Sequence, residues 1–161
     1  MLERDLNRII VSSFGKDTFS HKISDDAGSF TGTSKRPFDW MAVYGGVCYY
    51  GESKLLKPLK SLNFNIIEHH QIEALSKIAD QSHDAENVLP IFTIGAWESR
   101  KYFYVFVLHV NLIRTLKQLG INSILKKQLQ LLIDEQRYLP VEKGQINVRN
   151  LGETIVKDTW F

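Results

Sequence analysis

The sequence predicts an α/β fold with a central mixed β-sheet flanked by helices. Three observations carry this prediction: an apolar stripe at helical spacing opens the chain, two strand-like runs meet at Gly45-Gly46, and a helical pattern separates them from two further strand-like runs. A chain of 161 residues with 43% hydrophobic content can bury one core. We therefore expect a single domain over 1-161, with its core over about 1-110 and a helical C-terminal extension over about 111-161.

The N-terminal part of the chain is expected to form a helix, a strand and a loop. Apolar residues at helical spacing before Gly15 predict an amphipathic helix; they are Leu2, Leu6, Ile9, Ile10 and Phe14. A first strand is expected over about 18-24. The next stretch, about 24-34, is rich in Ser, Gly, Thr and Asp, which predicts a mobile loop.

A β-hairpin gives the strongest local signal. The runs from Phe38 to Tyr44 and from Val47 to Lys54 are rich in aromatic and β-branched residues, and only Gly45-Gly46 separates them. Glycines readily adopt the positive φ angles that a two-residue hairpin turn requires. We therefore predict that these two runs pair in an antiparallel hairpin.

The rest of the chain is expected to alternate helices and strands. A second helix is predicted to begin near Asn63 and to end in the polar stretch after Asp80. Its apolar stripe consists of Ile67, Ala74, Leu75 and Ile78. Two strands over 88-94 and 102-110 and two helices over 112-119 and 124-133, with a break at Gly120, are then expected. The tail from Tyr138 onward has no clear period.

Composition restricts the classes of function. No run approaches the roughly 20 apolar residues that a membrane span needs, and the first five residues are too charged for a secretory leader. We expect a soluble, cytoplasmic protein that does not associate with membranes. The lone Cys48 has no partner for an internal disulfide, and a net charge of +2 permits a polyanionic partner without requiring one.

The predicted hairpin brings two acidic residues together. A two-residue turn pairs Tyr44 with Val47, and the same register, continued outward, places Asp39 opposite Glu52 on one face of the sheet. Lys54 lies two residues beyond Glu52 and therefore shares that face. Opposed carboxylates repel each other, so a cation is expected between them. Two carboxylates suit a hard divalent cation such as Mg²⁺. The alternative is that both acids are solvated at strand ends, with Lys54 as a surface counter-charge.

These residues resemble the signature of the PD-(D/E)XK nucleases. The run Pro37-Phe38-Asp39, followed by Glu52-Ser53-Lys54, is similar to the acid, acid and lysine of that superfamily. The segment Ser61-Leu62-Asn63-Phe64, followed by a helix that carries His70-Gln71, resembles the RecU-type Holliday junction resolvases. The similarity covers roughly residues 35-78, and the protruding insertion of that family is not recognisable here.

The resemblance implies a restriction-endonuclease-like core and a magnesium site, in which Mn²⁺ would substitute. It makes Asp39, Glu52 and the backbone carbonyl of Ser53 metal ligands, Lys54 the catalytic lysine and Gln71 a helical contribution to catalysis. A glutamate of the first helix often joins such sites, and Glu3 is the one available.

Glu3 and Gln71 each have an alternative interpretation. Glu3 could instead be a first-turn acid that interacts favourably with the helix dipole. Gln71 falls on the apolar stripe, where a buried amide needs partners, or it lies at the margin of the stripe and reaches solvent. His69 and His70 point about 100° apart on a helix and cannot share one ion. His70 alone could contact DNA phosphate or pack against the protein.

The predicted function is magnesium-dependent cleavage of Holliday junctions in DNA recombination and repair. Basic residues on both sides of the acids would bind DNA phosphates; they are Lys35, Arg36, Lys57 and Lys60. The near two-fold symmetry of a four-way junction predicts a homodimer. One alternative is a related nuclease that acts on other DNA structures in repair or restriction, and another is a non-catalytic DNA-binding module with the same fold.

Overall fold

The computed structural model describes residues 1-23 and 36-161 and has an α/β fold with a mixed sheet, as predicted. The predicted mobile loop over about 24-34 and Lys35 lie outside the described residues. Among the described residues, six strands form the main sheet in the order β1-β2-β3-β5-β6-β8. These strands are β1 (Ser20–Lys22), β2 (Trp40–Tyr44), β3 (Val47–Leu56), β5 (Val88–Trp97), β6 (Phe103–His109) and β8 (Leu139–Pro140). A separate two-stranded sheet pairs β4 (Leu62–Asn63) with β7 (Ser123–Ile124).

Helices cover both faces of the main sheet. They are α1 (Glu3–Ser13), α2 (His69–Gln81), α3 (Val110–Gln118), α4 (Lys126–Asp134) and α5 (Leu151–Thr154), with 3₁₀ turns over Phe64–Ile66 and Val148–Asn150. One apolar layer includes Leu6 and Ile10 of α1 packed with Trp40 and Tyr49. The other layer includes Leu75 of α2 together with buried residues of α3 and α4. Each sheet face therefore has a core of its own.

The predicted hairpin register is confirmed along β2 and β3. Tyr44 pairs with Val47, and the ladder continues in that register to Trp40 and Gly51. Gly45 and Gly46 have φ angles of +57° and +78°, which a two-residue turn of this kind requires. Side chains alternate along a strand, so Glu52 and Lys54 share one face of β3.

A parallel crossover places α2 over that face. β3 runs parallel to β5, with Glu52 beside Phe92 and Lys54 beside Ile94, and α2 lies between them in the chain. The other described strand pairs of this sheet are antiparallel. The crossover brings the first turn of α2 over the segment that carries the predicted acids.

Two predicted helix boundaries are wrong. The second helix begins at His69 and not near Asn63, because Leu62–Asn63 pairs with β7 and the Asn63 side chain accepts a hydrogen bond from the Asn65 N–H. Ile67 is buried as predicted, but it lies before the helix. Ile124 belongs to β7, so the fourth helix starts at Lys126.

The C-terminal region is less purely helical than predicted. Besides α3, α4 and the short α5, it contributes β8 to the main sheet, and the Val156 N–H donates to the Val107 carbonyl. Cys48 is half-buried with a free thiol. Within the two described ranges, no helix has the length and apolar character needed to cross a bilayer.

Candidate active site

Asp39 is held at the entrance to β2 by the neighbouring strand. Its N–H donates to the Gly51 carbonyl (2.9 Å), and its Oδ2 accepts a hydrogen bond from the Ser53 N–H (2.9 Å). The regular ladder ends one residue earlier, at Trp40 and Gly51, so the carboxylate of Asp39 takes up a backbone donor of β3. Arg36 Nη2 lies 2.5 Å from its other oxygen, Oδ1. Asp39 is only 1% exposed, so the alternative of a solvated strand-end acid does not describe it.

Glu52 is equally buried and uses one carboxylate oxygen for its contacts. Gln71 Nε2 donates a short hydrogen bond to Oε1, and Lys54 Nζ lies 3.2 Å from the same oxygen. The second oxygen, Oε2, is buried and has no hydrogen-bond donor among the described residues. A buried carboxylate oxygen without a donor is costly, which marks Oε2 as a position for a proton or a cation.

Burial and a neighbouring charge make Glu52 unusually basic. The pKa of Glu52 is raised to about 7, mainly by burial and also by the negative charge of Asp39, while Lys54 and Arg36 act in the opposite direction. The predicted pairing of Asp39 directly opposite Glu52 does not form, because the ladder ends at Trp40 and Gly51 and the Asp39 N–H donates to the Gly51 carbonyl. The charges of the two acids nevertheless interact. Such a pair is stabilised by an added cation, because the cation offsets the repulsion that opposes ionisation.

Lys54 lies between two acids. Its Nζ is 3.2 Å from Glu52 Oε1 and 3.9 Å from Glu3 Oε2, and the lysine side chain is 9% exposed. The surface counter-charge that the alternative interpretation proposed would be more exposed. Glu3, in the first turn of α1, is half exposed and reaches the rim of the site through Lys54.

Gln71 connects the first turn of α2 to Glu52. Its Oε1 accepts a hydrogen bond from the Glu68 N–H (3.0 Å), while its Nε2 donates to Glu52. Both ends of the amide are therefore engaged, and Gln71 is 7% exposed, so it does not reach solvent. We call Asp39, Glu52, Lys54 and Gln71 the carboxylate cluster.

Three contacts at or next to the cluster were not predicted. Ser53 donates its N–H to Asp39, and its hydroxyl lies 2.8 Å from that of Thr93 on β5. A lone polar residue in the apolar run of β5 is the sequence signal that could have identified Thr93. Arg36 was predicted to contact DNA but lies on Asp39.

The carboxylate cluster can supply ligands for a magnesium ion. No group of three or more His, Cys, Asp and Glu side chains in the described ranges has the arrangement of a metal site. Magnesium is commonly held by only one or two carboxylates, with water and substrate phosphate as its other ligands. Oε2 of Glu52, for which residues 1-23 and 36-161 offer no hydrogen-bond donor, fits that need. Ser53 as a carbonyl ligand stays a prediction.

Arg36 lies on the solvent side of the carboxylate cluster. The side chains of Asp39 and Glu52 are each 2% exposed, whereas that of Arg36 is 26% exposed. The ion pair of Arg36 with Asp39 Oδ1 therefore closes the solvent side of the cluster.

Three of the other residues predicted to contact DNA are Lys57, Lys60 and His70. Lys57 and Lys60 are exposed just beyond the end of β3. His70 Nδ1 lies 3.1 Å from Glu68 Oε2, with 28% of the side chain exposed, and His69 is almost fully exposed. The structure therefore brings the carboxylate cluster together and leaves two of the predicted DNA contacts at the surface.

In comparisons with known proteins, no family model matches the chain and no curated protein matches its sequence.

Proposed function

We propose that this protein is a magnesium-dependent DNA endonuclease with a restriction-endonuclease-like core that cleaves four-way junctions. The observation that carries the proposal is the buried Oε2 of Glu52, which has no hydrogen-bond donor in the described part of the chain, in a cluster with Asp39, Lys54 and Gln71. A chain selected for stability alone has no use for two buried carboxylates that repel each other. The resemblance of Asp39, Glu52 and Lys54 to the PD-(D/E)XK signature, and of Gln71 to the RecU-type pattern, points to the same chemistry.

The side chains divide the work of phosphodiester hydrolysis. Magnesium chemistry at this site would consist of positive charge beside the scissile phosphate and a more acidic attacking water. Asp39 and Glu52 would hold the magnesium ion. The Lys54 ammonium, 3.2 Å from Glu52, donates hydrogen bonds to the attacked phosphate or orients the attacking water. Gln71 fixes the orientation of the Glu52 carboxylate through its amide.

DNA is expected to bind mainly through its phosphates. Lys57 and Lys60 are exposed just beyond the end of β3 and would contact the phosphates of the bound strand. Since symmetric nicking of a junction needs two active sites, we propose a C2 homodimer as the active assembly.

A cleavage panel tests the substrate class. A mobile four-way junction, a flap and a linear duplex of matched sequence are incubated with the protein in Mg²⁺, in Mn²⁺ and in EDTA. Cleavage of the junction alone, and only with metal, supports a resolvase. Equal cleavage of all three would leave a nuclease that acts on other DNA structures in repair or restriction.

A non-catalytic DNA-binding module is favoured by one observation, namely the ion pair of Arg36 with Asp39, which closes the site without a metal. The Asp39→Asn variant separates the two functions. A nuclease loses cleavage in this variant but keeps junction binding in metal-free buffer. A wild-type protein that binds junctions and cuts nothing in either metal would establish the module.

A further inference from the structure

A groove of about 560 Å³ opens beside the carboxylate cluster. Pro37 and Phe38 form one wall, and α2 from His70 onward forms the other. Phe38 directly precedes Asp39 in the chain, and His70 directly precedes Gln71. Each wall of the groove therefore adjoins a member of the carboxylate cluster, Asp39 on one side and Gln71 on the other.

Much of the groove surface is apolar. The ring of Phe38 packs edge to face against Tyr50, with centroids 5.3 Å apart and an interplanar angle of 76°. Ala74 and Ile78 contribute half-buried apolar surface from α2. The volume lies in the roughly 300–1,000 Å³ range of small-ligand sites. Such a surface suits a flat ligand with apolar faces.

The charged side chains of the groove compensate one another. Lys77 Nζ lies 3.6 Å from Glu73 Oε1, and His70 Nδ1 faces Glu68 Oε2. Because these basic groups already face carboxylates, the groove favours a neutral group over a phosphate. In DNA the flat neutral group is the base.

We propose that this groove binds the base of a nucleotide next to the phosphate that the carboxylate cluster cleaves, an inference that rests on the nuclease function proposed above. A base enters such a groove only after it leaves its stack, and the cost is lowest where bases are already unpaired. The branch point of a junction or fork supplies such bases, whereas an intact duplex does not. The groove thereby selects branched DNA over linear duplex.

Fluorescence of 2-aminopurine, an adenine analogue whose emission changes with stacking, tests the proposal. Junctions that carry one 2-aminopurine at each branch-point position in turn are titrated with the full chain in EDTA. We expect the emission to change at one position and not in the matched duplex. Ala74→Trp fills the groove and Phe38→Ala removes its aromatic wall. Each variant should abolish the change and weaken junction binding about 5- to 150-fold, the range for the loss of one stacked base.

Matched controls separate the groove from general effects. Thr115→Trp adds an indole to the exposed side of α3, and Tyr102→Ala removes an exposed aromatic ring elsewhere. Both should behave as wild type. Phe38→Leu keeps the apolar bulk of the side chain and removes only the aromatic face that would stack on a base. It replaces Phe38→Ala in these assays if Phe38→Ala does not fold.

The outcomes distinguish this proposal from the one on which it rests. If the groove variants bind the junction and change its emission as wild type does, the base-binding groove is wrong, whatever the cleavage activity. If the wild type shows the groove-dependent change but cuts no DNA in Mg²⁺, the nuclease function is wrong and the groove still binds a base. A wild type that binds no DNA overturns both.

Discussion

Glu52 is buried, so the negative charge of its carboxylate disfavours the folded state. Burial and the charge of Asp39 raise its pKa from 4.5 to about 7. The folded protein therefore holds a proton on Glu52 that the unfolded chain has already lost in the range between these two values. The free energy of unfolding is therefore highest below the pKa of Glu52 in the unfolded chain. It falls as the pH rises towards the pKa of Glu52 in the folded protein, and it stays constant at higher pH.

The Glu52→Gln variant is expected to remove this pH dependence. In EDTA, the free energy of unfolding of wild type relative to Glu52→Gln should fall by about 3 kcal/mol between pH 4.5 and pH 8, because one pKa unit corresponds to about 1.4 kcal/mol. Urea titrations across this range measure the difference. Glu86→Gln, at an exposed glutamate, is the control and should run parallel to wild type. Parallel curves for wild type and Glu52→Gln would contradict the raised pKa.

Arg36 is expected to compete with a divalent cation for Asp39. Replacing it by glutamine removes the guanidinium group that lies 2.5 Å from Asp39 Oδ1. A partly exposed ion pair is worth roughly 1 kcal/mol at most, so Arg36→Gln should tighten Mn²⁺ binding up to about fivefold. Isothermal calorimetry without DNA measures this affinity, with Lys101→Gln as an exposed control. Unchanged or weaker Mn²⁺ binding in Arg36→Gln would show that the pair does not compete.

Among the elements, the β2–β3 hairpin depends on a close approach between Gly51 and Trp40. A Cβ atom on Gly51 would overlap the buried indole ring of Trp40. The Gly51 carbonyl also accepts the N–H of Asp39, so any shift of the strand moves the carboxylate cluster.

Gly51→Ala is therefore expected to destabilise the protein by at least about 3 kcal/mol, the upper range for an overpacked core. Urea denaturation measures the loss. Gly152→Ala is the matched control, because its Cβ would first meet the Tyr49 hydroxyl at 3.5 Å, an ordinary contact. A Gly51→Ala variant as stable as Gly152→Ala would refute the close packing of this hairpin.

Helix α3 begins with a histidine cap that works only when it is neutral. His109 Nδ1 accepts a hydrogen bond from the Asn111 N–H (3.1 Å), and a protonated imidazole has no acceptor. Burial lowers the pKa of His109, as do the nearby charges of Lys157 and Arg114. The cap therefore contributes stability above the usual histidine pKa of about 6.5, and this contribution is lost as the pH falls through the depressed folded value.

Two variants of His109 test the cap. His109→Asn supplies an acceptor that does not titrate, so it should keep the stability measured at pH 8 and lose less on acidification than wild type. His109→Ala should lose about 1 kcal/mol already at pH 8, as for other helix caps. Thermal unfolding of the three proteins at pH 8 and pH 5.5 gives the comparison. Equal acid sensitivity of wild type and His109→Asn would exclude this role.

Elements that depend on local chemistry could be predicted, whereas those that depend on distant partners could not. The Gly45-Gly46 turn fixes the hairpin register by itself. The start of α2 depends on pairing between β4 and β7, about 60 residues apart in the chain, a contact that no local pattern reveals. β8 has only Leu139 and Pro140 to mark it and exists through its pairing with β6.

The same division applies to the candidate site. Alternation along β3 placed Glu52 and Lys54 on one face, and the helical stripe predicted the burial of Gln71. The contact of Arg36 with Asp39 depends on how the chain enters β2, and the depth of burial of Glu52 depends on how α2 covers the sheet. Both arise only when the whole fold assembles.

At the scale of the whole molecule, one carboxylate cluster per chain limits what a monomer could do to a junction. Resolution requires two nicks placed symmetrically across the branch point, while the described residues of one chain provide a single cluster with buried acids. A two-fold homodimer would present a second, identical cluster to the opposite strand. Paired cleavage would then be a property of the assembly, although each cut depends on one chain.

Hybrid dimers test this assembly. Wild type co-expressed with Asp39→Asn should contain dimers with one working cluster, which nick a junction once. On a supercoiled plasmid that extrudes a cruciform, wild type should give linear product, because both nicks fall within one encounter. The mixture should accumulate nicked circles well beyond the level of wild type diluted twofold. If the mixture matches the diluted wild type in its ratio of linear to nicked product, the two cuts are made by independent chains and the dimer is not the active unit.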